Sequence, residues 1–267
     1  MTAPSQLFHC YPERARGIFR EWRLWFSALT DLNDPFEGMP SFSGIVKGIV
    51  GEALRKEFAF QHPTAPAWPE YRTAMKRQEL HVTLEWQYAM QEKFRAMSAG
   101  SFRFFCFNGI QPDIAMWGHY ADCHRGFAVQ FRPEHPLFRD LKKVEYQKSR
   151  PGPMEPGDFR YLQVKDDSWR GESEYRLIKR VGELEEGERL SDNERLRFIP
   201  LPPDAVKAVY FGWQMPPETR GQMVFDLGAR PISKLVMLPH TSEYGLEAFP
   251  IEKVTPLAAD IRQALGL

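Results

Sequence analysis

Short apolar runs, irregularly spaced and separated by turn-forming residues, constrain the fold of this chain most strongly. They are rich in aromatic and β-branched side chains, which is typical of β-strands. Because the predicted strands do not alternate regularly with helices, the pattern predicts an α+β fold with a mixed sheet. The predicted strands cover residues 7–11, 23–28, 102–107, 127–131, 141–146, 174–180, 206–211 and 234–238.

Helical spacing of apolar residues predicts two long helices between the second and third strands. We interpret them as a helical insertion at about residues 45–99 of a single α+β domain that spans residues 1–267. The acidic segment 183–194 is expected to be an exposed loop. Shorter helices are predicted at 13–21, 112–124, 216–226 and 258–265.

Charge and cysteine content narrow the classes of function. The chain has 35 basic and 35 acidic residues, and this balance argues against non-specific binding to nucleic acid or membranes. The three cysteines lack metal-binding spacing, which indicates reduced thiols, a cytoplasmic protein and no metal site. No apolar run approaches the ~18–20 residues of a membrane span, and the first residues do not resemble a signal peptide. Motifs of Rossmann dehydrogenases, P-loop NTPases, serine α/β-hydrolases and zincins are also absent.

Two carboxylates close to each other are the first candidate catalytic groups. Glu172 and Glu174 are two residues apart at the start of a predicted strand, so their side chains are expected on one face. Like charges so placed raise each other's pKa, and function is one reason to tolerate that arrangement. The alternative is a solvated strand end in which Arg176 neutralises Glu174.

Three further segments carry candidate ligand-binding residues. Trp117, Tyr120 and His124 lie at i, i+3 and i+7 of a predicted helix and therefore on one face, where they could stack a base or nicotinamide. The alternative is a packed helix face with a satisfied histidine.

The other candidate ligand-binding residues lie in the segment 33–37 and on the first two strands. Asn33, Asp34 and Glu37 either cap a turn through their own backbone or order a ligand loop beside the second strand. Polar residues on the first two strands are either core hydrogen-bonding groups or ligand contacts: His9, Tyr11 and Ser27.

These segments together resemble an uncharacterised bacterial family, a domain of unknown function. Its marks are a first strand with tyrosine, an FS strand followed by NDPFE, the motif MWxHYAxxHxG and a late WxxExExR. Here the last three stand at residues 33–37, 116–126 and 169–176, and the resemblance covers about residues 7–225. A CFS-like strand is a further mark of the family, and it stands here at residues 106–108. Asn108 departs from the serine that is usual at its last position.

The layout also resembles the ADP-ribosyltransferase fold, which has a mixed or antiparallel split sheet. That resemblance implies NAD as substrate and Glu174 as the catalytic carboxylate, with Glu172 as its upstream member. It implies transfer of ADP-ribose to a protein or nucleic acid, or NAD cleavage, as in toxins or anti-phage defence. The NAD-binding residues that it implies are His9, Tyr11, Ser27, Asn33, Asp34, Glu37, Trp117, Tyr120, His124 and Arg176.

Two other functions compete with this one. A metal-dependent nuclease would use Asp166 or Asp167 with Glu172 and Glu174, but Arg176 stands where such a site has lysine, and arginine does not give up its proton. A non-catalytic nucleotide-binding or interaction module would use the same aromatic residues without turnover.

Overall fold

A computed structural model describes residues 4–41, 85, 87–152, 158–189 and 195–254. The chain divides into two compact units. Unit 1 comprises Met1–Ser27, Arg103–Val144 and Ser168–Leu267, and unit 2 comprises Ala28–Phe102 and Glu145–Asp167. Strands and helices occur together with a mixed sheet, which confirms the predicted α+β class.

Thirteen strands are formed by the described residues. In chain order they are β1 Leu7–Tyr11, β2 Arg23–Phe26, β3 Phe102–Asn108, β4 Phe127–Phe131, β5 Lys142–Lys143, β6 Glu145–Gln147, β7 Val164–Asp166, β8 Glu174–Arg180, β9 Glu185–Glu188, β10 Arg195–Pro200, β11 Val206–Phe211, β12 Ser233–Pro239 and β13 Leu246–Pro250. The α-helices with defined bounds are Ile18–Glu21, Ile114–Tyr120 and Pro217–Leu227. Short 3-10 helices are Glu13–Gly17, Leu29–Asp31, Pro136–Phe138, Arg160–Gln163, Asp167–Glu172, Val181–Glu183 and Pro203–Ala205.

The main sheet has eight strands in the order β13-β12-β11-β4-β1-β3-β8-β5. The pairing of β11 with β12 is parallel, whereas β1 pairs antiparallel with both β3 and β4. A second sheet, β2-β10-β9, is antiparallel, and β6 and β7 form a parallel pair in unit 2. The four central strands of the main sheet are β11, β4, β1 and β3. Most of their side chains are buried, because both faces of the sheet are covered.

The two faces of the main sheet differ in character, since successive side chains of a strand point to opposite sides. One face, the aromatic face, carries the larger core cluster and includes Phe105, Phe127 and Phe211. The other, the polar face, carries Cys10 and Ala128 in a smaller cluster. In the centre of the sheet this polar face carries Asn108 and Gln130, whereas His9 and Tyr11 of the aromatic face pack among aromatic rings. The polar face is therefore the better place for a ligand.

Most predicted strands and helices are confirmed, and several predictions are wrong. The predicted strand 23–28 ends at Phe26. The predicted strand 141–146 divides into β5 and β6, which belong to different sheets. The predicted helix 112–124 ends at Tyr120. The segment 183–194, predicted as a loop, contains β9, which pairs with β10. The exposed glutamates of β9 suit an edge strand, and Glu186 forms a 2.8 Å ion pair with Arg197 of β10.

The predicted helical insertion falls within the residue range of unit 2. Residues 87–101 are helical, which agrees with the end of the predicted insertion. Most of the insertion lies outside the described residues, and so does the predicted C-terminal helix 258–265. Within the described ranges, no helix has both the length and the apolar character that crossing a membrane requires.

Candidate functional site

A short helix brings a tyrosine to the polar face of the main sheet. The Ile114–Tyr120 helix begins after Asp113, whose side chain accepts a 2.9 Å hydrogen bond from the Met116 amide. This cap satisfies one of the free amides of the first turn. The helix ends at Tyr120, which packs beside the smaller core cluster.

Trp117, which lies one turn earlier on the same helix, is only 1 % exposed. It packs in the smaller cluster with Cys10 of β1 and Ala121. The sequence predicts Trp117 as a wall of the ligand pocket. The structure places it in the core, where it supports Tyr120 from within.

The segment that follows the helix has an unusual backbone. Asp122, Cys123 and His124 have φ values of 49°, 48° and 67°, in the left-handed region. This conformation costs a residue other than glycine roughly 1–2 kcal/mol. The prediction that His124 continues the helical face of Trp117 is therefore wrong. The two rings are still in contact, stacked at 6.1 Å between centroids with an interplanar angle of 5°.

His124 is held neutral at its place beside Trp117. Desolvation by burial lowers the pKa of its imidazole. Its Nδ1 atom and the Trp117 Nε1 atom are both buried, and neither has a hydrogen-bond partner among the residues described. Buried polar atoms of this kind usually bond to an ordered water or a ligand.

Glu172 is bound to the end of the helix. The Tyr120 hydroxyl donates a hydrogen bond to Glu172 Oε1, and the Asn108 side-chain amide donates to the Glu172 backbone carbonyl at 3.2 Å. The Glu172 side chain is 8 % exposed. A carboxylate that accepts a hydrogen bond from a phenol is fixed in direction.

Glu172 does not lie on the strand where the sequence places it. It ends the 3-10 helix Asp167–Glu172, and Ser173 then has a left-handed φ of 46° before β8 begins at Glu174. The argument from i and i+2 on one strand is thus wrong for this pair. The turn at Ser173 is fastened by its carbonyl, which accepts a 2.8 Å hydrogen bond from the Gly109 amide.

Glu174 forms a buried ion pair with Arg176. Arg176 Nε donates to Glu174 Oε1 at 2.6 Å, and Nη2 donates to Oε2 at 3.0 Å. The side chains are 3 % and 0 % exposed. This is the neutralised arrangement that the sequence leaves open as the alternative to a catalytic pair. A bidentate geometry of this kind also orients both side chains.

His9 and Tyr11 face away from these groups, because they lie on the aromatic face. The His9 ring packs at 4.3 Å from the Tyr11 ring and at 4.4 Å from the Phe105 ring. Its Nδ1–H donates a 2.6 Å hydrogen bond to the Cys106 carbonyl. The expectation that His9 meets a ligand beside Tyr120 is therefore not supported.

Burial controls the protonation of both aromatic-face residues. It lowers the pKa of His9 to about 4, even though the hydrogen bond to Cys106 favours the charged form. It raises the pKa of Tyr11 well above its ordinary value. Both side chains are neutral at pH 7 and serve as core groups.

The His9 pKa predicts a loss of stability on acidification. Between pH 6.5 and pH 4 the unfolded chain binds a proton that the folded protein excludes, so the free energy of unfolding falls as the pH drops. The partial exposure of the ring limits this loss to on the order of 2 kcal/mol. Urea unfolding of the wild type and of His9→Gln between pH 7 and pH 4 measures it, since glutamine keeps a donor for Cys106 without titrating. An equal pH dependence in both proteins would contradict the assignment.

Of the remaining predicted residues, Ser27 and Asp34 make hydrogen bonds within the fold. The Ser27 backbone forms an isolated bridge with Phe104 through two 2.9 Å hydrogen bonds. Within unit 2, Asp34 is buried and its Oδ1 accepts a 2.9 Å hydrogen bond from the Phe36 amide, the predicted turn cap. Glu37 is also buried, whereas Asn33 is exposed.

Three polar residues of the sheet, Asn108, Gln130 and Tyr210, are absent from the site residues predicted from sequence. Phe8 of β1 is in register with Asn108 on one side and Gln130 on the other, so the three side chains form a row on the polar face. The Tyr210 hydroxyl donates a 3.1 Å hydrogen bond to Gln130 Oε1. A glutamine inside the otherwise apolar run FAVQF is the signal that could have identified this row.

No group of three or more His, Cys, Asp or Glu side chains in the described ranges is arranged to hold a metal ion. Comparisons with family models, with curated proteins and with solved structures give no match.

Proposed function

We propose that unit 1 cleaves the nicotinamide–ribose bond of NAD and transfers ADP-ribose to a macromolecule or to water. The observation that carries the proposal is the hydrogen bond from Tyr120 to Glu172, which fixes a carboxylate at the polar face of the main sheet. Cleavage of a glycosidic bond passes through an oxocarbenium-like state. A fixed carboxylate beside the developing positive charge lowers the barrier to that state.

The strand arrangement supports an ADP-ribosyltransferase layout. The helix before the central strand β4 ends in a tyrosine, Tyr120. Of the late acidic pair, Glu174 begins β8 and Glu172 ends the 3-10 helix before it; β8 neighbours β3, and β3 neighbours β1. A tyrosine-terminated helix and a late glutamate on a strand near the first strand are both features of that layout.

The two carboxylates have different roles in the proposed reaction. Both Glu174 oxygens accept hydrogen bonds from Arg176, so Glu174 is a positioning residue that fixes the start of β8. Glu172, held by Tyr120, is the group that stabilises charge on the ribose. Asn108 and Gln130 on the polar face already bond to the Glu172 carbonyl and to the Tyr210 hydroxyl, and we assign the remaining amide groups of both to the nicotinamide amide or the ribose hydroxyls.

The step that we propose is a substitution at the ribose C1′ atom. The bond from C1′ to the nicotinamide nitrogen breaks, and its electron pair leaves with nicotinamide. The acceptor nucleophile then bonds to C1′ and loses its proton to the surrounding water. A cytoplasmic bacterial enzyme of this type would suit a toxin or an anti-phage defence system.

Nicotinamide release tests the proposal. The protein is incubated with NAD and total bacterial protein and nucleic acid, and free nicotinamide is measured over time. We expect release by the wild type and a loss of about 10²–10³-fold in Glu172→Gln, the usual effect of removing one group that stabilises the transition state. Glu134→Gln, which changes an exposed glutamate, is the matched control and should keep full activity.

A binding measurement separates the alternatives. The burial of Glu174 with Arg176 favours, as a second candidate, a non-catalytic nucleotide-binding module, because only Glu172 then remains for chemistry. NAD binding that Glu172→Gln leaves intact, without any nicotinamide release, would replace the enzyme by this module. Absence of both binding and release would contradict both candidates.

A further inference from the structure

We propose that unit 2 contains a separate binding site for the phosphoryl group of a phosphate monoester. A cavity of about 140 Å³ lies between the turn that follows Asp34 and the loop that follows β6, with β7 as its third side. All of its lining residues belong to unit 2. Drug-sized ligands usually occupy roughly 300–1,000 Å³, so a space of this size suits one compact group of a larger ligand.

The charges in the lining favour an anion. Lys148, Arg150 and Lys165 supply three positive charges, and Asp34 and Asp166 supply two negative ones. The Asp34 carboxylate is engaged by the Phe36 amide at 2.9 Å, and Lys165 and Asp166 have interactions within the protein. Lys148 and Arg150, by contrast, form no ion pair or hydrogen bond with any residue of the described chain. The lining thus carries a net positive charge, and among the described residues Lys148 and Arg150 are the cations left to bind the oxygens of a phosphate monoester.

Arg150 is oriented before any ligand binds. Its guanidinium carbon lies 5.0 Å from the centroid of the Phe36 ring, a cation–π contact worth roughly 0.5–1 kcal/mol at an exposed site. The Pro151 carbonyl, next in the chain, accepts a 2.7 Å hydrogen bond from the Ser41 amide, which fastens the loop. A guanidinium packed by its face keeps its N–H edge free, and that edge binds two phosphate oxygens at once.

The neighbouring side chains complete the recognition of a tetrahedral group. Lys148 supplies a point charge, and the Ser149 hydroxyl supplies a donor between the two cations. The Phe36 ring is 59 % exposed, which leaves an aromatic surface beside the phosphoryl position for the rest of the ligand. The site differs from the proposed NAD site because none of these residues lies in unit 1.

Isothermal titration with inorganic phosphate, adenosine monophosphate and adenosine tests this site. We expect phosphate and the monophosphate to bind and adenosine not to bind. The monophosphate should bind more tightly than phosphate if the Phe36 surface contributes. Arg150→Gln and Lys148→Gln should each weaken binding of the monophosphate by at least fivefold. Arg139→Gln removes an exposed arginine of unit 1 and should leave binding unchanged.

Binding of the monophosphate to unit 2 does not depend on whether unit 1 cleaves NAD. Glu172→Gln, which disables the proposed NAD reaction, should bind the monophosphate as the wild type does. Equal affinity of wild type, Arg150→Gln and Lys148→Gln would overturn the phosphoryl site. Equal affinity for adenosine and its monophosphate would overturn it as well, since the phosphoryl group would then contribute nothing.

Discussion

Replacement of Arg176 by methionine is expected to lower the free energy of unfolding by about 3–5 kcal/mol. The arginine is fully buried, and it donates two hydrogen bonds to the Glu174 carboxylate. Without the guanidinium the carboxylate loses its bidentate partner while it stays in the interior, where a charge is costly. Urea unfolding followed by circular dichroism measures the loss.

An exposed ion pair provides the matched control for this experiment. Arg197 and Glu186 are 2.8 Å apart but their side chains are 30 % and 47 % exposed, so Arg197→Met should cost less than about 1 kcal/mol. The double variant Arg176→Met with Glu174→Leu should recover part of the lost stability, because both members of the buried pair are then apolar. A loss of the same size in Arg176→Met and Arg197→Met would show that the buried pair has no special energetic role.

Gly126→Ala is the second change with a large expected effect, a loss of about 3 kcal/mol or more. A β-carbon at Gly126 would lie 2.0 Å from the Tyr11 carbonyl oxygen and 2.9 Å from the Ala121 carbonyl oxygen. Both neighbours are backbone atoms, one of them in the centre of the main sheet, so the clash cannot be relieved by turning a side chain. Overpacking of this kind forces backbone shifts, which cost 1–3 kcal/mol and sometimes more.

Gly118→Ala is the control, and its expected effect has the opposite sign. Gly118 lies inside the Ile114–Tyr120 helix, and a β-carbon there would have no neighbour within 4 Å. Alanine is favoured over glycine in a helix by about 0.5–1 kcal/mol, so this variant should be more stable than the wild type. Equal unfolding midpoints for Gly118→Ala and Gly126→Ala would contradict the packing described around Gly126.

Much of the central sheet is predictable from sequence because its strands are rich in apolar residues. The bounds of β1, β4, β8 and β11 agree with the predicted runs. The side chains of β4 are buried along its whole length, so hydrophobicity marks that strand from end to end, whereas in β8 the apolar residues are interspersed with charged ones. The edge strand β9 is different, since its glutamates carry no such signal and only pairing with β10 defines it.

The candidate site was harder to predict because it depends on the turns between elements. The left-handed backbone at Ser173 and at residues 122–124 changes the direction in which Glu172 and His124 point. The helical and strand periodicities of apolar residues do not predict such turns. The contact from Tyr120 to Glu172 joins residues 52 positions apart, and the motif spacing alone does not show it.

The assignment of faces was the other source of error. Alternation along β1 puts His9 and Tyr11 on one face of the sheet and Cys10 on the other, but it does not say which face packs against the core. Phe105 and Phe127, from strands paired with β1 only in three dimensions, decide that His9 lies on the aromatic face. The polar row beside Phe8 follows from the same pairing.

The position of β1 in the middle of the main sheet has a consequence for synthesis of the protein on the ribosome. Its two partners, β3 and β4, begin at Phe102 and Phe127, so roughly ninety residues separate β1 from the first of them. At about 5–20 residues per second, the nascent strand waits roughly 5–20 seconds before a partner emerges. During that interval β1 has neither of its strand partners, so both of its edges are open to pairing with other chains.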